Sequence, residues 1–169
     1  MKQRQNVIAI IYDCDKTLIP DYMQKPLFEK YGVDENSFWQ ECSEMTKHYS
    51  ELDINLDDEL AYLNNMLHYT KKGKMKNLSN QILFDLGKEI KLFPGLPEYF
   101  ERTKSLIEED KKYQQESITL EHYIITTGLK PMVQGSKLND YLTDIFASEF
   151  IEEKNKEKQF QISEIARAV

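Results

Sequence analysis

Two aspartates, Asp13 and Asp15, stand one residue apart where the apolar run Val7–Tyr12 ends. Like charges this close repel, so the pair calls for a cation between or beside them. Side chains on a strand alternate with a period of two, which starts both carboxylates on one side, and the following turn can aim both at one point. Paired carboxylates so placed have two chemical uses. Through oxygen they can bind a hard cation such as Mg²⁺. They can also divide labour, one attacking phosphorus as a nucleophile and the other passing a proton to and from the leaving group or water. The plainer alternative is a turn or helix cap, a habit of Asp residues generally.

The elements that must position such a pair are legible in the apolar pattern. Val7 to Ile11 is β-branched-rich without polar alternation, the pattern of a central parallel strand covered on both faces. A second such segment, His122 to Thr126, runs into Thr127-Gly128. Ligands in open parallel sheets bind in the crevice at the carboxyl ends of the strands, which is where the acids lie. Between the two strands the spacing predicts three or four short amphipathic helices from Ile19 to Leu92. They carry Phe38, Trp39, Cys42, Met45 and Tyr49, then Leu60, Leu63 and Leu67, then Leu78, Ile82, Leu86 and Ile90. A block of this length exceeds a strand-to-helix loop and reads as a helical insertion above the sheet. After Pro94-Gly95, a helix from Leu96 to Glu109 returns to the core with Leu96, Tyr99, Phe100, Thr103 and Leu106 on one face. Asp110 to Ser117 reads as a loop, Leu129 to Leu138 as a helix, Ile145 to Phe150 as a short third strand, and the charged stretch from Glu152 to Gln159 as a solvated tail.

Composition narrows the partners. The 169 residues fit one domain with an inserted subdomain. A net charge of −7 and the lack of a basic stripe disfavour nucleic acid and anionic membrane surfaces, and an anionic substrate would need a local cation. Two cysteines outside any metal spacing argue for a reducing compartment and against zinc. With no apolar run long enough to span a bilayer and no signal-peptide pattern in Met1 to Asn6, the expected location is the cytoplasm.

The segment Asp13-Cys14-Asp15-Lys16-Thr17-Leu18, behind an apolar strand, resembles the first motif of the haloacid dehalogenase-like hydrolases, Asp-x-Asp-x-Thr-Leu. The segment Tyr123-Ile-Ile-Thr126-Thr127-Gly128 resembles their second, an apolar strand ending in Ser or Thr. The resemblance implies a Rossmann-like α/β core from residues 1–19 and 93–169, with a helical cap of the C1 type over residues 20–92. It implies that Asp13 is a nucleophile forming an aspartyl-phosphate, that Asp15 is the general acid/base, and that both hold Mg²⁺. Thr17, Thr126, Thr127 and Gly128 would bind phosphate, Thr126 through its hydroxyl or as a helix cap, roles one residue can combine. Trp39, Tyr49, Tyr62 and Tyr69 would line the inner face of the cap or pack its helices.

Two further family motifs, a lysine and a distal acidic pair, have no match. Lys130 and Lys137 follow the second motif too closely, Lys154, Lys156 and Lys158 stand in the charged stretch read as a solvated tail, and Asp57-Asp58 reads as a helix start. The resemblance covers Val7 to Phe150, so the core is expected to be incomplete. Either the chain is a fragment or truncated product, or an unusual sequence does the missing jobs. The leading reading is a Mg²⁺-dependent phosphatase for a small phosphorylated molecule; the alternative is a binding or regulatory module that keeps the fold without catalysis.

Overall fold

A computed structural model describes residues 6–169; residues 1–5, with most of the segment read for a signal peptide and the start of the expected core, lie outside it. The β-branched run forms strand β1 (Val7–Tyr12), followed by four helices: α1 (Lys25–Tyr31), α2 (Glu35–Ser50), α3 (Asp58–Lys71) and α4 (Asn80–Gly87). Helices α5 (Glu98–Glu108) and the short α6 (Lys111–Gln115) lead to β2 (Thr119–Leu129). Helix α7 (Lys130–Gly135) and a 3₁₀ turn then lead to the hairpin of β3 (Asp144–Lys154) and β4 (Phe160–Arg167). The sheet order is β1-β2-β3-β4, with β1, β2 and β3 parallel and β4 antiparallel.

One face of the sheet is covered. Leu120, His122, Ile124, Ile145 and Ala147 are buried there. Phe100 of α5 is buried among Tyr12, His122 and Tyr141, its ring 5.5, 5.1 and 5.9 Å from theirs. Burial holds the His122 ring below the usual histidine range. The other face differs from expectation. Ile11, Ile125 and Phe146 are 58%, 44% and 41% exposed, so among the described residues this parallel sheet is covered on one side. Among the described residues strand β1 is also an edge strand and not a central one, pairing with β2 alone. An apolar run reports that both faces are greasy; it cannot report what covers them.

Other boundaries move for local reasons. The charged stretch beyond Glu152 is the end of β3 and a tight turn, where Asn155 Oδ1 accepts from the Glu157 and Gln159 amides at 2.9 and 3.1 Å. Strand β2 continues through Thr127-Gly128 to Leu129, so the following helix starts later than the sequence suggested. Asp110 to Ser117 contains α6, capped by Asp110, and Leu106 faces solvent. No helix of the described residues is long and apolar enough to cross a membrane.

The helical block is tied to the core at both ends. The Phe93 amide donates to the Leu18 carbonyl at 3.1 Å, and the Ile162 amide to the Leu78 carbonyl at 2.8 Å. Helix α4 lies backbone-close against α7: a Cβ added at Gly87 would sit 2.2 Å from the Met132 carbonyl oxygen, and one at Gly135 1.8 Å from that of Phe84. Neither neighbour can yield without moving a helix. Gly135→Ala is expected to lower stability by about 1–3 kcal/mol, the usual range for overpacking, seen as a lower urea midpoint with unchanged m-value. An unchanged midpoint would contradict this close approach.

Candidate active site

The loop after β1 winds around a single carbonyl. Cys14 O accepts from the amides of Thr17, Leu18 and Ile19 at 3.2, 2.8 and 3.2 Å, and Lys16 takes a left-handed φ of 60° to close the turn. Cys14, Leu18 and Ile19 are buried beneath it, which leaves Asp13, Asp15, Lys16 and Thr17 on its upper side. Burial and the charges of Asp15 and Asp13 push the Cys14 thiol up, so it is no nucleophile.

The two acids occupy different environments. Asp13 is exposed, and its Oδ2 accepts from the Thr17 hydroxyl at 2.9 Å. Asp15 is half-buried, and its Oδ1 accepts from the Met23 amide at 3.0 Å. Burial raises the Asp15 carboxyl from 3.8 to about 6, and the negative charge of Asp13 adds to this; the Met23 amide and Lys16 act in the opposite sense. Asp15 therefore keeps its proton to a higher pH than a free carboxyl would, an effect of its environment alone.

From β2, the two threonines diverge. Thr126 is buried, with its Oγ1 accepting from the Gly128 amide at 3.1 Å inside β2; it does not cap the following helix, whose N-cap is Leu129. Thr127 instead faces a cavity of about 480 Å³ that Asp15 also lines, together with Trp39, Glu59 and Tyr62 from the helices. The Thr127 carbonyl accepts from the Tyr62 and Ser148 hydroxyls. Asp13, Thr17, Thr126 and Gly128 do not line that cavity. Of the proposed cap aromatics, Trp39 and Tyr62 reach it, Tyr69 packs on Phe38 with rings 5.3 Å apart, and Tyr49 lies elsewhere.

Sequence reasoning missed Met23 and Lys16. The Met23 amide holds Asp15, while its thioether meets the Leu129 amide at 3.0 Å and fills the space a Cβ on Gly128 would need, 2.2 Å from Met23 Cε. This one side chain couples the loop of the first motif to the end of β2. A lone Met in a loop carries no sequence signal. Lys16 stands beside Asp15 with its Nζ 3.8 Å from the Tyr22 ring centroid.

The expected magnesium site is not there. Among the described residues no group of three or more His, Cys, Asp and Glu side chains is placed to hold a metal ion, so Mg²⁺ on Asp13 and Asp15 is withdrawn. An acidic pair alone lacks the third carboxylate, and each aspartate already spends an oxygen on an internal donor.

With this geometry in place, likeness to known proteins can be weighed. No family model matches the chain. An uncharacterized protein of Borreliella burgdorferi (strain ATCC 35210 / DSM 4680 / CIP 102532 / B31) is 35% identical over 153 residues, 90% of this chain and 53% of that protein. The chain thus spans about half the length of the curated relative it matches. Solved structures resemble it at lower identity. A HAD family hydrolase from Salmonella enterica subsp. enterica serovar Typhi has a TM-score of 0.55 at 17% identity, over 92% of this chain and 44% of that one. A phospho-aspartyl intermediate analogue of phosphoserine phosphatase has a TM-score of 0.59 at 15% identity, over 95% and 63%. A substrate-bound phosphoserine phosphatase complex has 0.54 at 14%, over 97% and 63%. The fold is that of the haloacid dehalogenase-like hydrolases. That fold, an α/β sheet core with a helical cap, is the one the two motifs implied.

The environment of Asp15 has a thermodynamic consequence. Its folded carboxyl titrates near 6 against 3.8 in the unfolded chain, so from about pH 4 to 6 the unfolded state loses its proton first and stability falls. Above 6 the penalty is constant. Asp15→Asn should therefore be more stable than the wild type at pH 8 by up to about 2 kcal/mol, converging toward pH 4. Urea melts across that range measure it, and parallel curves would contradict a raised Asp15.

Proposed function

We propose that this chain carries the phosphoryl-transfer end of a phosphatase of the haloacid dehalogenase-like type, acting on a small phosphorylated molecule, with residues 20–92 as its cap. The observation that supports this best is the unequal pair: an exposed Asp13 on the tip of β1 beside an Asp15 held near a pKa of 6. In this reading an Asp13 oxygen attacks phosphorus as the bond to the leaving oxygen breaks, and the Asp15 carboxyl gives its proton to that oxygen. Asp15, now a carboxylate, takes a proton from the water that attacks the aspartyl-phosphate. Cleavage of the bond between Asp13 and phosphorus releases inorganic phosphate and returns both acids to their starting forms.

The chain's own groups would orient the phosphoryl oxygens. Thr127 lines the cavity, and Lys16 is a cation beside the acids. Charge neutralisation is most of what phosphoryl transfer asks of a protein, so a single exposed lysine beside the acids, Lys16, among the described residues implies slow turnover. The same shortage supports the second reading, in which the site binds a phosphate ester without turning it over. Release of phosphate from an aryl phosphate by the wild type and by Asp13→Asn separates them. The first reading predicts slow wild-type release that falls by about a hundredfold or more in the variant, as loss of a covalent nucleophile requires. Equal release by both proteins would remove Asp13 from the chemistry.

A further inference from the structure

The cavity beside Asp15 has a lining unlike that expected for an ordinary anionic ester. Asp15, Asp58 and Glu59 line it with acidic side chains, and among the described residues no Lys, Arg or His does. Tyr22, Trp39 and Tyr62 stand in series along it, with ring centroids 5.6 and 6.0 Å apart and planes 46° and 61° from parallel. The three rings pack on one another and line the cavity together, and aromatic rings attract cations. The Tyr22 ring already carries the Lys16 ammonium at 3.8 Å.

A buried acceptor adds an independent sign. Gln24 also lines the cavity, is 3% exposed, and its Oε1 has no hydrogen-bond partner among the described residues. An unpaired buried amide oxygen is costly unless a donor reaches it. Carboxylates, aromatic rings and an unpaired acceptor all select the same chemistry, a positively charged nitrogen. At about 480 Å³ the space suits a small molecule. Net charge reinforces the choice: a chain of −7 repels a simple phosphate dianion, whereas a zwitterion brings its own counter-charge.

We propose that this cavity binds the ammonium end of an aminoalkyl phosphate ester, with Glu59, Asp58, Trp39 and Tyr62 as specificity-determining residues. The phosphate end rests on the phosphatase reading above; the ammonium site stands on the cavity alone. Because Trp39 is the sole tryptophan and lines the cavity, its fluorescence reports occupancy directly. Wild-type protein is titrated with choline, with ethanolamine, and with 3,3-dimethyl-1-butanol, the uncharged isostere of choline. At least one ammonium compound is expected to bind tenfold or more tighter than the neutral alcohol. Glu59→Gln, and separately Asp58→Asn, should remove most of that preference, leave the alcohol's affinity unchanged, and retain the wild-type circular dichroism. Equal affinity for charged and neutral compounds, absence of binding by all three, or a preference untouched in both variants would overturn the assignment. Titrating Asp13→Asn keeps the two readings apart. Retained ammonium binding is expected there, even if phosphate release proves independent of Asp13 and the phosphatase reading falls.

Discussion

Two carboxylates held one residue apart repel each other, and the rest of the structure can be understood by how that repulsion is carried. The Cys14 carbonyl gathers three amides and forces Lys16 into a left-handed turn, which fixes where both acids start. Thr17 then ties down the exposed Asp13, and Met23 the half-buried Asp15. The repulsion appears as a difference between them. Burial and its neighbour's charge keep a proton on Asp15 to about pH 6, so the pair need not be doubly ionised.

Met23 makes this local arrangement a tertiary one. Its backbone serves Asp15 and its side chain packs against Gly128 and Leu129. Through it, the ends of β1 and β2 are brought together under Trp39 and Tyr62. The clamp of Gly87 and Gly135 between α4 and α7 then fixes how the helical block returns to the core. Positioning of this kind, more than any special reactivity of an aspartate, is what a phosphoryl-transfer site requires.

Much of this was legible because it depends on pattern. The run from Val7 to Ile11 announced a strand, the three- and four-residue spacings announced α2, α3 and α4, and Asp-x-Asp-x-Thr-Leu announced the loop. What was illegible depends on neighbours distant in sequence. Whether both faces of β1 are covered cannot be read from β1, and Ile11, Ile125 and Phe146 turn out exposed. Thr126 and Thr127 are adjacent and alike, so only the folded chain shows which of them lines the cavity and which is buried. Magnesium was inferred from two acids and a resemblance, but a metal needs further ligands in space, and the described residues do not assemble them. The ammonium pocket is invisible in sequence because its walls come from the first loop, α2, α3 and the end of β2.

The central claim is that Asp13 receives the phosphoryl group, and covalent trapping addresses it most directly. The protein would be quenched in acid during incubation with an aryl phosphate, digested, and its peptides weighed by mass spectrometry. The account predicts one added phosphoryl group on the peptide carrying Asp13, labile to hydroxylamine and absent from Asp13→Asn. Phosphate release with the label on another residue, or with no label at any quench time, would contradict it.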